Sequence, residues 1–486
     1  MEINVNKKDW LFLGLCLLLG ILAEESFFRG LIGISYLVFI MAFYAVFFWR
    51  CRTISFAHQR FGYLVVICIW LLSAGYVLNE NIFFYILNII GIPALVIFHL
   101  VAVTSPKNFR WNQFAFIPYI FSRLLNAIKY NIAFTASLGK LAKRGADDNK
   151  LLVWKKILIG VVISLPLLAV VLRLLTTADR QFALMVGGIP DLFRIVDTEG
   201  VMRLIVVLIF MAAFFGLMQV LYIKQMKVMK LQVWQAPVKL DPVISVTVLV
   251  LINLVYILFT IVQFKYFFSG SLQGDYTYAE YARKGFFELL FVTLINLSIT
   301  IVVLSLGESG KNGVKRMRQV LLTILVLSSG VLLTSAFIRL SMYEEAYGFT
   351  FTRVLSHSFM IFLVVIFTYT LVKIWVEKLS LFHFYFITAL IYYTTINVID
   401  LDRIVVKENI TRYEETGKID ANYLSRLSAT GMLGLIELYE RGENIPHLKT
   451  ILRDKQMEAR TESHTWQSYN LKRERASQKL NNLQFK

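Results

Sequence analysis

Cysteine and histidine are scarce in this chain, and each shortage removes a class of chemistry. The three cysteines, Cys16, Cys51 and Cys68, lie in or beside the first three apolar runs of a 486-residue sequence. They have no metal-ligand spacing, and no disulfide framework is indicated. The six histidines, His58, His99, His357, His383, His447 and His464, are scattered, and none forms a paired zinc-binding motif. A phosphate-binding loop of the Gly-x-x-x-x-Gly-Lys-Ser/Thr type is absent, so no ATPase of that class is encoded. No nucleophile–base set accompanies the polar residues. No catalytic residue, metal or cofactor is therefore indicated.

Ionisable side chains are also missing from the centres of the apolar runs. Hydrophobic residues make up 57% of the chain and aromatic residues 14%. The runs are nearly continuous, as in Val243–Phe264, where a membrane β-barrel would alternate polar and apolar residues over about ten positions. Only helices or closed barrels pair every backbone group inside lipid, so an all-α, polytopic transmembrane helix bundle is expected. About twenty apolar residues cross a hydrocarbon core of roughly 30 Å. Eleven spans meet or approach that length: Trp10–Ala23, Leu31–Trp49, Tyr63–Val77, Ile82–Val103, Ile157–Leu175, Leu204–Tyr222, Val243–Phe264, Gly285–Leu306, Val320–Ile338, Val354–Val372 and Leu381–Val398. Lys7 and Lys8 precede the first run as in a signal peptide, but Glu24-Glu25 follow it and no small-residue cleavage site does. An uncleaved anchor is the expectation.

The net charge of +18 invites a nucleic-acid partner, but its distribution argues against one. With the N-terminus cytoplasmic, inner connections hold 25 of the 50 Lys and Arg and outer ones nine, while the acids run seven inside to twelve outside. This is the positive-inside bias. It sets the orientation, with the basic residues facing an anionic inner leaflet.

Four regions follow. Residues 1–103 carry four closely spaced spans. Residues 104–156 form a basic cytoplasmic connection, in which Phe116–Leu141 has the pattern of an amphipathic helix lying on the membrane surface. Residues 157–398 carry seven spans. Residues 399–486 form a small helical extracytoplasmic tail. Within it Gly417 ends one helix, Asp420 or Ser428 caps the next, and Met432, Leu435, Ile436 and Tyr439 share a face. A further helix is expected from His447 to Glu462, and a last one from Trp466.

Polar clusters gather on the outer side. The densest is Asp275–Glu288, where Glu280, Lys284 and Glu288 follow at helical spacing. Glu288, one turn inside the apolar zone, calls for a cationic partner such as Arg339 or Arg353. The others are Ala178–Phe182, Arg339–His357 and Asp400–Asn409. The candidate binding residues are Asp179, Arg180, Tyr278, Glu280, Tyr281, Arg283, Glu288, Tyr347, Arg353 and Asn409.

Three segments carry a resemblance. Ala178-Asp179-x-x-Phe182, the run from Tyr278 to Leu289, and Tyr347-Gly348-x-Thr350-x-x-Arg353 resemble motifs of a bacterial multi-pass membrane family catalogued as a domain of unknown function. Trp466-x-Ser468-x-Asn470, with Arg473 and Ala476, is similar to that family's C-terminal end. The resemblance spans about residues 160–480 and implies membrane location, but no reaction.

The expected function is ligand or partner binding, in sensing or assembly, through the outer polar cluster. A small-solute or ion transporter is the alternative, although charged span centres and an internal repeat are not evident. A membrane-embedded enzyme is a third and weaker alternative. Salt-bridged loops that only lock the bundle explain the same clusters, and that purely structural role competes with all three.

Overall fold

A computed structural model describes residues 7–107, 109–113, 115–142, 198–223, 240–269, 286–307, 312–461 and 465–485, with isolated positions between 160 and 182. Sixteen α-helices and one 3₁₀ turn are formed there. Among the described residues there is no strand, only an isolated bridge between Leu240 and Gly307. Ten helices among the described residues are long and apolar enough to cross a membrane. The protein is an all-α, multi-pass integral membrane protein.

Those ten are α1 (Lys7–Phe28), α2 (Ile34–Cys51), α3 (Gln59–Leu78), α4 (Ile82–Thr104), α6 (Thr198–Tyr222), α7 (Pro242–Ser269), α8 (Phe286–Leu306), α9 (Asn312–Tyr347), α10 (Phe351–Trp375) and α11 (Leu381–Val398). Each contains one of the expected spans, apart from a residue or a few at some ends. The expected span Ile157–Leu175 lies mostly outside the described residues. With 36 residues, α9 is about 54 Å long at 1.5 Å per residue. Its ends therefore project beyond a 30 Å core, one carrying Lys315, Arg316 and Arg318 and the other Arg339 to Tyr347.

The chain divides into two compact units. The smaller comprises Met1–Leu31, Val38–Ala57 and Pro118–Val228. Here α1 packs along α6, and Gly20 permits the approach: a Cβ there would lie 2.6 Å from Val207 O. The surface-type helix expected from Phe116 is α5 (Phe116–Ala142). Its Tyr130 and Phe134 are buried against Phe215 of α6. Asn131 donates to Ala212 O at 2.7 Å, across a contact that Gly216 keeps open. The other side of α5 exposes Ile117, Phe121, Leu125, Ile128 and Ile132. Three- and four-residue spacing puts these on one apolar stripe.

The larger unit comprises Ile32–Leu37, His58–Ile117 and Met229–Lys486. Its main core joins α7, α8, α9 and α10 through Leu249, Leu289, Leu325, Leu332, Ala336 and Leu363. The tail has a core of its own, built by α12 (Leu401–Thr416), α13 (Ala421–Leu427), α14 (Ala429–Glu440), α15 (Leu448–Thr461) and α16 (Leu471–Asn482). Leu424, Leu435, Ile436 and Leu452 are its most buried members.

The tail punctuation follows local chemistry. Gly417 ends α12 at φ +70°, and the Asp420 carboxylate accepts from Tyr423 N to start α13. The last helix begins five residues after Trp466 because Asn470 accepts from Lys472 N and Arg473 N, which fixes the N-cap there. Trp466–Ser468 forms the 3₁₀ turn. That turn leads to Tyr469, whose carbonyl accepts from Ile34 N at 3.1 Å. Gly33 makes the approach possible, since a Cβ there would meet Tyr469 O at 2.4 Å.

Candidate functional site

The connection from α9 to α10 carries the Tyr347-Gly348-x-Thr350-x-x-Arg353 motif and turns sharply at Gly348, φ +82°. A side chain there would be strained, and its Cβ would lie 2.7 Å from Asn409 Oδ1. Arg353, one turn into α10, donates to Gly348 O and lies over the Tyr343 ring at 4.0 Å. Asn409 on α12 holds the backbone of Phe349 from both sides, accepting from its N–H at 3.1 Å and donating to its carbonyl at 2.7 Å. An amide side chain carries both a donor and an acceptor, which this clamp needs. Arg412 donates to Glu345 O and Ala346 O at the end of α9. Tyr423 Oη accepts from Phe351 N at 2.8 Å. Glu344 and His357, one on each helix, pair at 2.8 Å in a largely buried position.

A small cavity of about 140 Å³ opens beside this turn. The N-terminal Phe286 and Phe287 of α8 and Leu340 form its apolar wall. Tyr343, Thr350, Thr352, Arg353 and Ser356 complete it.

A second constellation lies where the tail meets α3, α4 and α11. The three-residue connection Asn79-Glu80-Asn81 is its centre. Asn79 donates to Asn397 O at 2.8 Å and Val398 O at 3.0 Å, and accepts from Lys472 Nζ at 2.6 Å. Asn81 caps α4 with its oxygen and donates its amide to Asp402 Oδ1 at 3.0 Å. Asn470 works in the same way, capping α16 while donating to Tyr76 O and Asn79 O. Glu80 accepts from Arg473 Nε at 2.7 Å and from Ala429 N at 3.1 Å. Asp400 pairs with Lys472 and accepts from Thr430 at 3.2 Å. Asp402 is 3% exposed. Burial pushes its carboxyl up to about 6, against the opposing pull of the Asn81 hydrogen bond. Just below, Asn88 donates to Asn397 Oδ1 at 2.7 Å and accepts from Tyr393.

The structure gathers part of the expected set. Arg353 and Asn409 meet at the α9–α10 turn, and Tyr347 lies beside it, exposed, with its ring 5.0 Å from that of Tyr343. Glu288 is exposed in the first turn of α8 and makes no ion pair among the described residues. A carboxylate there is favoured by the helix dipole without a cation. Arg353, one of its expected partners, is engaged with Gly348 and Tyr343. Asp179, in the smaller unit, is exposed and accepts from Phe182 N at 3.3 Å. Arg180, Tyr278, Glu280, Tyr281 and Arg283 lie outside the described residues. Sequence reasoning passed over Asn79, Glu80 and Asn81. A signal was available: three consecutive polar residues form the whole connection between two spans.

The smaller unit has two charged locks of its own. Asp9, Arg50, Gln219 and Tyr130 join four helices, with Arg50 2.7 Å from Asp9 and 2.6 Å from Gln219. Glu24, 3% exposed, lies between Arg29 at 3.4 Å and Arg203 at 3.6 Å. Among the described residues, no three His, Cys, Asp or Glu side chains are placed to hold a metal.

Residues 66–438 match the model of a family described as a domain of unknown function (DUF4153), and the chain belongs to that family. The match begins earlier and ends sooner than the motifs alone suggested, taking in α3 and α4 and stopping within α14. No curated protein and no solved structure matches the chain.

Proposed function

For this member of the DUF4153 family, we propose binding of an extracytoplasmic ligand or protein partner, in sensing or assembly, at the end of the larger unit that carries the tail. One observation carries the reading. The connections 79–81, 348–350 and 399–400 are tied to a folded helical module by buried asparagines and ion pairs. A tail with its own core, held rigidly on the bundle, is a preorganised surface, and preorganisation lowers the cost of binding. The amides nearest that end bond to one another, as Asn88 does with Asn397, a lock more than a solute path. The opposite end carries Lys315, Arg316, Arg318, Lys373 and Lys378. We take that end as cytoplasmic and the tail as extracytoplasmic on the positive-inside bias; a bacterial plasma membrane follows from the resemblance to a bacterial family, not from the charges.

Labelling tests the orientation. The native cysteines are buried, so Tyr347→Cys should react with an impermeant maleimide on intact cells, and Met317→Cys only after permeabilisation. The reverse pattern overturns the topology. Photocross-linkers at Tyr347 and Trp466, both exposed, test the binding reading. A discrete shared adduct that is absent from position 317 supports it. No adduct, or the same adduct at both ends, rejects it.

A further inference from the structure

We propose that the cavity beside Arg353 holds the phosphate headgroup of an anionic phospholipid, whose acyl chains run along the exposed face of α8. Size argues first. At about 140 Å³ the cavity is well under the roughly 300 Å³ at which pockets begin to enclose whole small molecules. An occupant that uses it must leave most of its body outside.

The lining says which end enters. Arg353 supplies a cation, and Thr350 and Thr352 bring hydroxyls to the lining, while Ser356 donates its own to Thr352 O at 2.8 Å. Guanidinium and hydroxyl donors together match the acceptor oxygens of a phosphate. Only one terminal nitrogen of Arg353 is engaged with Gly348. Its planar group also rests on Tyr343, which fixes the direction of the fork.

The surroundings say what the remainder is. Phe287 is 64% exposed and Phe291, one turn further along α8, is 68% exposed. These rings continue the apolar wall of the cavity down a membrane-spanning helix. The cavity thus joins one arginine and two threonines, set in a mostly apolar lining at a span terminus, to the exposed rings of Phe287 and Phe291, the same division of chemistry as in a phospholipid. Aromatic and basic side chains at this level are suited to the bilayer interface. Glu344, the nearest buried acid on α9, is held by His357 and does not line the cavity. Glu288 is exposed on α8 and also lies outside the lining. The motif arginine accordingly has two tasks: it closes the Gly348 turn and presents a charge to lipid.

The test uses the full-length protein purified in a mild detergent, with native mass spectrometry reading bound lipid. Phosphatidylglycerol should be retained in preference to phosphatidylcholine, and inorganic phosphate should not displace it. Arg353→Gln should reduce retention about tenfold, the scale of one charge-assisted hydrogen bond. That variant also loses the Gly348 contact, so Ser356→Phe serves as a second. It fills the cavity from α10 and leaves the Arg353 bonds in place. It should abolish retention with an unchanged unfolding midpoint. Equal retention of the two lipids, displacement by free phosphate, or full retention in Ser356→Phe would each overturn the proposal.

Discussion

At the tail end of the larger unit, closure is polar. Asn79, Asn81 and Asn470, the half-buried Glu80–Arg473 ion pair and the buried Asp402 connect segments more than 300 residues apart, and Asp400 with Lys472 adds a second pair within the tail. At the opposite end the same helices are closed by rings. Phe61 stacks on Trp111 at 3.8 Å, Phe98 on Phe386 at 4.8 Å and Tyr369 on Phe384 at 3.7 Å, and His383 lies 5.1 Å from Trp111. An ion pair at this end, Lys315 with Glu377 at 2.6 Å, is exposed. Aromatic packing tolerates small shifts better than a hydrogen bond does, because offset-stacked and edge-to-face arrangements are both favourable over a wide range of ring separations. A hydrogen-bonded junction tolerates them less, because each amide has one geometry and a buried unpaired partner is costly. One end is therefore adhesive and the other is specified.

Substitutions can break or sharpen that contrast. The largest expected effect is Trp111→Ala, which removes the centre of the ring cluster and should cost about 3–5 kcal/mol. It should lower the unfolding midpoint without speeding proteolysis of the tail. Next is Asn409→Leu, which leaves the N–H and carbonyl of Phe349 unpaired. A loss of about 2–4 kcal/mol is expected from two such groups, with early cleavage between residues 399 and 486 in limited proteolysis. If Asn409→Leu leaves the tail resistant and Trp111→Ala exposes it, the assignment of specificity to the tail end is wrong.

Asp402→Asn should act in the other direction. The folded state raises the Asp402 carboxyl from 3.8 to about 6, so it binds the proton more tightly than the unfolded chain does. The contribution of this group to stability is full below about pH 4 and is lost as pH rises through 6. The neutral amide should therefore stabilise the protein at pH 7.5, by an amount of up to about 3 kcal/mol. No gain should appear at pH 4. Thermal melts of both forms across pH 4–8 check this, and a gain independent of pH would reject burial of charge as the cause. The smallest effect is expected from Lys315→Ala, because an exposed pair contributes at most about 1 kcal/mol. Its melt should overlay that of the parent protein.

Much of this architecture was legible in the sequence. All-round apolar runs define spans without help from tertiary contacts, and α11 has the expected bounds, Leu381–Val398. Local capping chemistry was equally readable at Gly417 and Asp420. Trp466 misled because an aromatic residue carries no helix-start signal, whereas Asn470 does, through its own side chain. The site was harder. The motif around Gly348 was visible, but its clamp, Asn409, stands 60 residues away. The junction at Asn79–Asn81 was hidden because its partners are separated from it by more than 300 positions, and periodicity carries no information over that distance. Glu288 shows a different limit: its expected partners Arg339 and Arg353 do not pair with it among the described residues, and it is exposed in the first turn of α8.

The asparagines at the junction also set a schedule. Asn79 and Tyr76 are synthesised 391 and 394 residues before Asn470, whose amide they receive. At 5–20 residues per second the wait is roughly 20–80 s. Through that interval α3 and α4 exist without the groups that complete their connection. Glu80 likewise has no cation until Arg473 has been made, 393 residues later. The connection between two early spans is thus completed only when segment 470–473 of the tail has been made.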